Sequence, residues 1–409
     1  MSRRASIASR VAASRKQWPH WANRTFDAVV AAVPERVAVR LNPRKYGFRS
    51  ADVPAVPAVP DTSVRLYIAP VNFAGQGFQW ARAAERLSGV GAVSMAYPLE
   101  KEYGYAIDNR VPVAVFRNSR RWQKRQFDLV ASRFSHVIVE AERPLFGALF
   151  DFSPVREAAE LRRHGVQVAM LAHGSDLRSP ERHRSGDRWS PFLEEGWTQA
   201  AAFETATADH RRILEEIAAP VFVATPDLLL DWPEATWLPI VVDPRPWAGA
   251  DVPLQRERPL VVHAPSSAVI KGSDLIEPIV SRANDAGLIE YRRVEGVPSS
   301  AMPALYREAD VVLDQFRIGN YATAAIEAMA AGRIVVGHVH DQVRDHVKAV
   351  TGLEVPVVQA TVDTLDAVLA DIVERPDHYR AIAATGPAFA ARVHDGDASA
   401  DALRSFLRP

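Results

Sequence analysis

The residues best suited to chemistry lie between positions 263 and 327. His263-Ala264-Pro265-Ser266 closes a short apolar run, and Ile270-Lys271-Gly272-Ser273-Asp274 follows. A lysine beside a glycine, just ahead of a helix start, can hold phosphate. The ammonium supplies charge and the free backbone N–H groups supply directed donors. A Lys-Gly pair alone is common and mostly structural. Further on, Asp314-Gln315-Phe316-Arg317-Ile318-Gly319-Asn320-Tyr321 leads into a predicted helix over 322–331. Ala322, Ala324 and Ala325 permit close approach to the helix start, where a diphosphate would meet the helix dipole. Glu327 falls mid-helix among apolar residues, and a carboxylate there needs partners. A ribose diol would offer two O–H donors; a nearby arginine is the alternative.

The first half offers less. Gly75-Gln76-Gly77 begins a dinucleotide fingerprint, but Trp80 stands where the third glycine would be. That glycine allows close helix–strand packing, so a dehydrogenase reading is weak. Gly75 and Gly77 then mark either a tight strand-to-helix turn or a loop facing a cleft. His173-Gly174-Ser175-Asp176 follows a predicted strand. Asp176 is a catalytic candidate by position, with a turn role as the alternative. There is no GxxxxGK[ST] loop or HExxH, and no cysteine. Disulfides, thiolate chemistry and cysteine zinc sites are excluded. No cofactor and no metal requirement are expected.

These residues need strands and helices to position them. Apolar runs predict strands at 64–69, 92–97, 111–116, 136–140, 166–172 and 221–224. A second series falls at 260–263, 289–294, 311–314 and 334–339. Helical patterns lie between them, and residues 362–407 read as mostly helical. Strands alternating with helices predict parallel sheets covered on both faces, with ligands at the carboxyl ends of the strands.

The chain has 409 residues, enough for two α/β domains. Lys plus Arg and Asp plus Glu number 49 each. That neutrality argues against a dedicated nucleic-acid binder. Residues 1–50, however, hold eleven Arg or Lys against two acids. Within them Phe26, Val29, Val30 and Val33 recur at helical spacing, and Trp18 and Trp21 accompany the basic residues. Residues 51–60 place Pro54, Pro57 and Pro60 among Ala and Val, a stiff connector. No run reaches the ~18 apolar residues of a membrane span. A cytoplasmic protein is expected, with peripheral contact at the inner membrane face through the basic N-terminus. The runs Arg117–Arg125 and Arg178–Arg188 read as solvated surface or as a site for an anionic acceptor.

The segment 261–336 resembles the C-terminal domain of glycosyltransferase family 4, the "glycosyl transferases group 1" type with the GT-B fold. The matching pieces are Lys271-Gly272, Ala309-Asp310-Val311 and Glu327-Ala328-Met329-Ala330-Ala331-Gly332-Arg333-Ile334-Val335-Val336. Val393-His394-Asp395-Gly396 is similar to the entrance of the family's C-terminal helix. The resemblance covers roughly residues 62–409, strongly in the second half and loosely in the first.

It implies two doubly wound Rossmann-like domains facing a cleft. Residues 1–60 are then the extension and linker, 61–243 the acceptor domain, 244–390 the nucleotide-sugar domain and 391–409 a C-terminal helix packing back on the first domain. It further implies a retaining transferase acting from a nucleotide-diphosphate sugar onto a glycan, lipid-linked or small-molecule acceptor. By the resemblance, Lys271 holds the diphosphate and Glu327 the ribose. The Glu295-Gly296-Val297 loop approaches the base through its backbone, and His173 faces the donor from the first domain, a turn role being its alternative. Two positions depart from the pattern. Gly319 stands where a second, sugar-contacting glutamate is usual, and Ser266 where an arginine often precedes the lysine. Arg317 is the expected substitute cation. A non-catalytic sugar-nucleotide or glycan binder, or a sugar-nucleotide epimerase, is the alternative function.

Overall fold

The computed structural model describes residues 19, 35–41, 43–97, 104–194, 196–249 and 251–408. The expected helix through Phe26, Val29, Val30 and Val33, with Trp18 and Trp21, lies outside the described residues.

Two parallel sheets carry the fold. The first comprises β1 (Val64–Ala69), β2 (Val90–Ala96), β3 (Asn109–Arg110), β4 (His136–Glu140), β5 (Gln167–Ala172), β6 (Val221–Val223) and β7 (Thr236–Trp237). Its order is β3-β2-β1-β4-β5-β6-β7. The second comprises β8 (Leu260–His263), β9 (Glu290–Arg293), β10 (Val311–Leu313), β11 (Ile334–Gly337) and β12 (Val357–Gln359). Its order is β12-β11-β10-β8-β9. Val, Ile and Ala dominate the central strands because helices cover both faces; every residue of β2, β4 and β8 is buried.

The strand order reverses between β1 and β4 in one sheet and between β8 and β10 in the other. Crevices for ligands open at such reversals, beyond the carboxyl ends of the strands. The loops leaving β8 and β10 are those that carry Ser266, Lys271 and Gly319.

One expected strand differs. Residues 113–118 form a helix, Val113–Asn118, with Pro112 at its N-cap and Val115 and Phe116 buried. An apolar run of this length fits either element, and packing decides between them. Ser119 then caps the helix Arg120–Arg133 by accepting from the Trp122 N–H at 3.1 Å. The edge strands β3, β7 and β12 span only two or three residues and carry no readable periodicity.

The two sheets share an apolar seam. One buried cluster runs from Leu66, Ile68 and Trp80 through Leu238 and Tyr321 to Val312 and Met329. Trp80 donates from its indole nitrogen to the Pro239 carbonyl at 2.8 Å. Its bulk therefore occupies the space a third fingerprint glycine would leave. The chain returns across the seam at its end. His394 lies against the Ile240 carbonyl at 2.7 Å, and Ser399 donates to the Pro239 carbonyl at 2.8 Å. The last helix, Asp397–Leu403, packs on the first-domain helix Gln76–Ala84.

Candidate functional site

A cavity of about 260 Å³ opens between the sheets. Its second-domain wall includes Ser266, Lys271, Gly296, Val297, Ala322 and Glu327; Ala74 and Tyr105 contribute from the first domain.

The loop after β8 is built on His263, for which the sequence predicts only a strand end. His263 is fully buried. Its Nδ1 lies 2.9 Å from the Leu313 carbonyl and its Nε2 lies 2.8 Å from Ser273 Oγ. Burial lowers its pKa to about 4, so the ring is neutral. One side chain thus ties β8 to β10 and to the start of the helix Ser273–Asp285. The signal available in the sequence was a histidine at a strand end with a serine ten positions on. Gly272 turns the chain with φ +76°, which only glycine adopts without strain, and an added Cβ would lie 3.1 Å from the Arg317 side chain.

Lys271 ends the short helix Ala268–Lys271. Its ammonium pairs with the buried Asp314 carboxylate at the end of β10, a partner the sequence did not reveal. Asp314 orients the lysine toward the cavity while one face of the ammonium keeps its donors. Across from it, Glu327 rises from the helix Thr323–Ala330. Among the described residues no side chain caps that helix, and Ala322, Thr323 and Ala324 at its start line the cavity. Its first N–H groups therefore face the cavity, where an anion would find both donors and the positive dipole end. Among the described residues Glu327 makes no hydrogen bond. Burial pushes its carboxyl up to about 8, opposed by the charge of Lys271. The arginine partner weighed from the sequence is not present among them.

Other expected residues sit elsewhere. Glu295 is exposed and pairs with Arg293 at 2.7 Å, while Gly296 and Val297 reach the cavity. Arg317 is buried and bound to Glu194 of the first domain, so the structure does not bring this cation to the cavity. Tyr321 is buried in the seam, its hydroxyl 3.2 Å from His394 Nε2; only the next residue, Ala322, lines the cavity. Gly319 has φ +75°, and an added Cβ would lie 1.9 Å from His340 Cδ2. An imidazole from the loop after β11 therefore fills the place of a side chain at 319.

The first-domain candidates His173 and Asp176 do not line the cavity, and both are bound within their own domain. Asp176 accepts from the His173 N–H at 2.8 Å and the Gly174 N–H at 2.5 Å, so both its oxygens hold the turn. His173 Nε2 lies 3.1 Å from Glu140 Oε1, and its ring packs against Phe73 and Trp80. Glu140, at the end of β4, is fully buried, and burial raises its carboxyl pKa. A Cβ at Gly77 would lie 2.8 Å from the Val71 carbonyl and 3.2 Å from Glu140 Oε2. That glycine exists for packing, and Gly75 opens the helix at φ +76°. Neither lines the cavity, although Ala74 beside them does. In the run 178–188, Arg178 pairs with Asp227, Arg182 with Asp231, Arg184 with Glu204 and Arg188 with Asp363. That run is largely spent on internal pairing.

No family model matches the chain, and no curated protein is similar to it in sequence. Solved structures do resemble it. The Anabaena protein Alr3699/HepE in complex with UDP superposes with a TM-score of 0.53 at 11% identity, covering 84% of this chain and 99% of that one. The same protein in complex with UDP-glucose gives 0.54 at 11%, over 84% and 98%. Sucrose-phosphate synthase from Thermosynechococcus elongatus gives 0.53 at 12%, also over 84% and 98%. The chain thus has the GT-B glycosyltransferase fold, two facing α/β units with parallel sheets of seven and five strands.

Proposed function

We propose that the protein is a glycosyltransferase that uses a nucleotide-diphosphate sugar, with its donor site in the cavity between the sheets. The carrying observation is the convergence of Lys271, the uncapped start of the helix Thr323–Ala330 and the unbonded carboxyl of Glu327 on one cavity. The first two suit a diphosphate; the third suits the donor hydroxyls of a ribose. The complexes of the Anabaena protein with UDP and UDP-glucose support the choice of ligand class.

In this reading negative charge develops on the departing diphosphate. Lys271 and the helix start stabilise it. In the same reading His173, held by Glu140, faces the reacting sugar from the first domain, and the two domains align the acceptor hydroxyl. Retention at the anomeric carbon follows the family resemblance. The reading needs no metal at the reacting atoms: the carboxylates of the Asp395-Gly396-Asp397 run pair with Arg86. The acceptor is a glycan, a lipid-linked molecule or a small molecule. Contact of the basic N-terminus with the cytoplasmic membrane face belongs to the same proposal; among the described residues no helix is long and apolar enough to cross a membrane.

A binding-only protein on this fold is the second reading. It is favoured by one observation, the His340 ring standing where a sugar-contacting side chain at 319 would be.

Thermal shift with UDP, GDP, ADP and their sugar conjugates tests the donor site. Binding to the native state raises the melting temperature by mass action. A shift selective for one base, lost in Lys271→Ala, is expected. No shift with any nucleotide overturns the donor site. Selective binding without release of the diphosphate to any acceptor or water favours the binding-only reading.

A further inference from the structure

A second group of side chains meets on another part of the domain seam. Ser179 caps the helix Pro180–Gly186, and Asp187 ends it. The Asp187 N–H donates to the His183 carbonyl at 3.0 Å. Side chains four positions apart on a helix share a face. His340 reaches that face from the second domain, its N–H donating to the Gly319 carbonyl at 2.8 Å. The lack of a Cβ at Gly319 is what admits its ring.

We propose that His183, Asp187 and His340 bind a divalent transition metal of the zinc class, which clasps the two domains together. One ligand atom from each lies within 4.8 Å of the others. Tetrahedral zinc with bonds of about 2.0–2.1 Å sets neighbouring ligand atoms about 3.3 Å apart. His340 Nε2 and Asp187 Oδ2 stand 3.3 Å apart. The His340 ring makes no other hydrogen bond or ion pair among the described residues.

The surrounding bonds are those that orient metal ligands. His183 Nε2 lies 3.2 Å from the Ile318 carbonyl, which leaves Nδ1 with the lone pair. Asp187 Oδ1 accepts from the Trp189 N–H at 2.7 Å. Its Oδ2 lies 3.2 Å from His338 Nε2. Gln359 Oε1 accepts from the Val339 N–H at 3.0 Å, which turns its amide nitrogen toward His338 Nδ1 at 2.9 Å. His338 therefore keeps its hydrogen on Nε2 and supports Asp187 from outside. Ser190 Oγ stands 2.8 Å from His183 Nδ1, a hydrogen bond that the metal replaces. Two imidazoles and one carboxylate suit zinc, whereas magnesium and calcium prefer all-oxygen sites.

The clasp stands apart from the cavity residues and does not depend on the sugar-transfer reading. Untagged full-length protein, stripped with a chelator, is titrated with Zn²⁺ and separately with Mg²⁺. Bound metal and melting temperature are read. Zn²⁺ is expected to bind at one equivalent per chain and raise the melting temperature, with no effect of Mg²⁺. Co²⁺ is expected to give the visible absorption of a tetrahedral site, abolished by Zn²⁺. Asp187→Asn and His340→Ala lose these responses, while His378→Ala, at an exposed histidine elsewhere, keeps them. Zinc binding that survives in both site variants overturns the proposal. So does wild-type protein that gives no tetrahedral Co²⁺ spectrum, a measurement that needs no variant to fold.

Discussion

The two walls of the cleft use their polar residues differently. On the second-domain wall, Lys271 keeps donors beyond its pair with Asp314, the helix at 323 has no capping side chain, and Glu327 has no hydrogen-bonding partner among the described residues. In the first domain, beside the cavity-lining Ala74, Asp176 spends both oxygens on its own turn, and His173 is held by Glu140. Buried polar groups left without partners cost stability. A wall that keeps several of them is shaped for a ligand that supplies the missing bonds. A wall that satisfies its own groups presents shape and one oriented imidazole. In the proposed function, nucleotide recognition belongs to the second domain and the first positions an acceptor. One residue breaks the pattern: Glu142, after β4, is fully buried with neither oxygen hydrogen-bonded.

The contrast is broken or sharpened by three measurements. The largest effect is expected from a pair of substitutions. Lys271→Ala should slow release of the nucleoside diphosphate by about 10²–10³-fold, the usual cost of losing a donor to developing charge. Asp176→Ala should leave nucleotide affinity unchanged and cost about 1–3 kcal/mol of stability, because two backbone N–H groups lose their acceptor. Equal losses of nucleotide binding in both variants would erase the distinction between the walls.

A smaller effect concerns Glu327. Its carboxyl, raised to about 8, must ionise to accept from two hydroxyls. Below that value binding releases a proton, so affinity should fall as pH drops, by up to about tenfold per pH unit. Above it the affinity should level off. Glu327→Gln should weaken binding about tenfold and flatten the profile. Calorimetry in buffers of different ionisation heat would detect the released proton; a flat wild-type profile would remove Glu327 from ribose recognition.

The smallest effect tests the exception. Burial pushes the Glu142 carboxyl well above its ordinary range, with Asp176 adding to the rise. The folded state then holds a proton that the unfolded chain releases above about 4.3. The resulting stability is fully present below the unfolded carboxylate range and is lost as pH rises toward the folded value. Glu142→Gln should remove that decline, so its melting temperature should gain on that of the wild type as pH rises above the ordinary carboxylate range. Melts of the two proteins that run parallel with pH would show that Glu142 is ionised and paired.

Much of the second domain was legible. The apolar runs at 260–263, 311–314 and 334–339 are strands because their residues are buried on both faces, and burial writes itself into composition. Lys271 and Glu327 were legible as a pair because both follow strand ends on neighbouring strands, and one cavity receives both. The helix at 113–118 was not legible, since Val-Ala-Val-Phe satisfies either period over so short a run. Arg317 was not either: a cation beside a glycine suggests an anion site, and only the fold shows Glu194 waiting for it across the seam.

The sequence by itself determined the α/β class, the place of most strands and the chemical character of the loops after β8 and β10. Those properties depend on residues close in the chain, through burial pattern, helix start and turn. Tertiary structure alone decided the partners. Asp314 beside Lys271, His340 over Gly319, Glu140 behind His173 and His340 near His183 are pairings between residues 21 to 157 positions apart. Local composition carries no record of such contacts, because any compatible side chain elsewhere in the chain could have supplied them. They exist only once two sheets have packed along one seam and set their loops face to face.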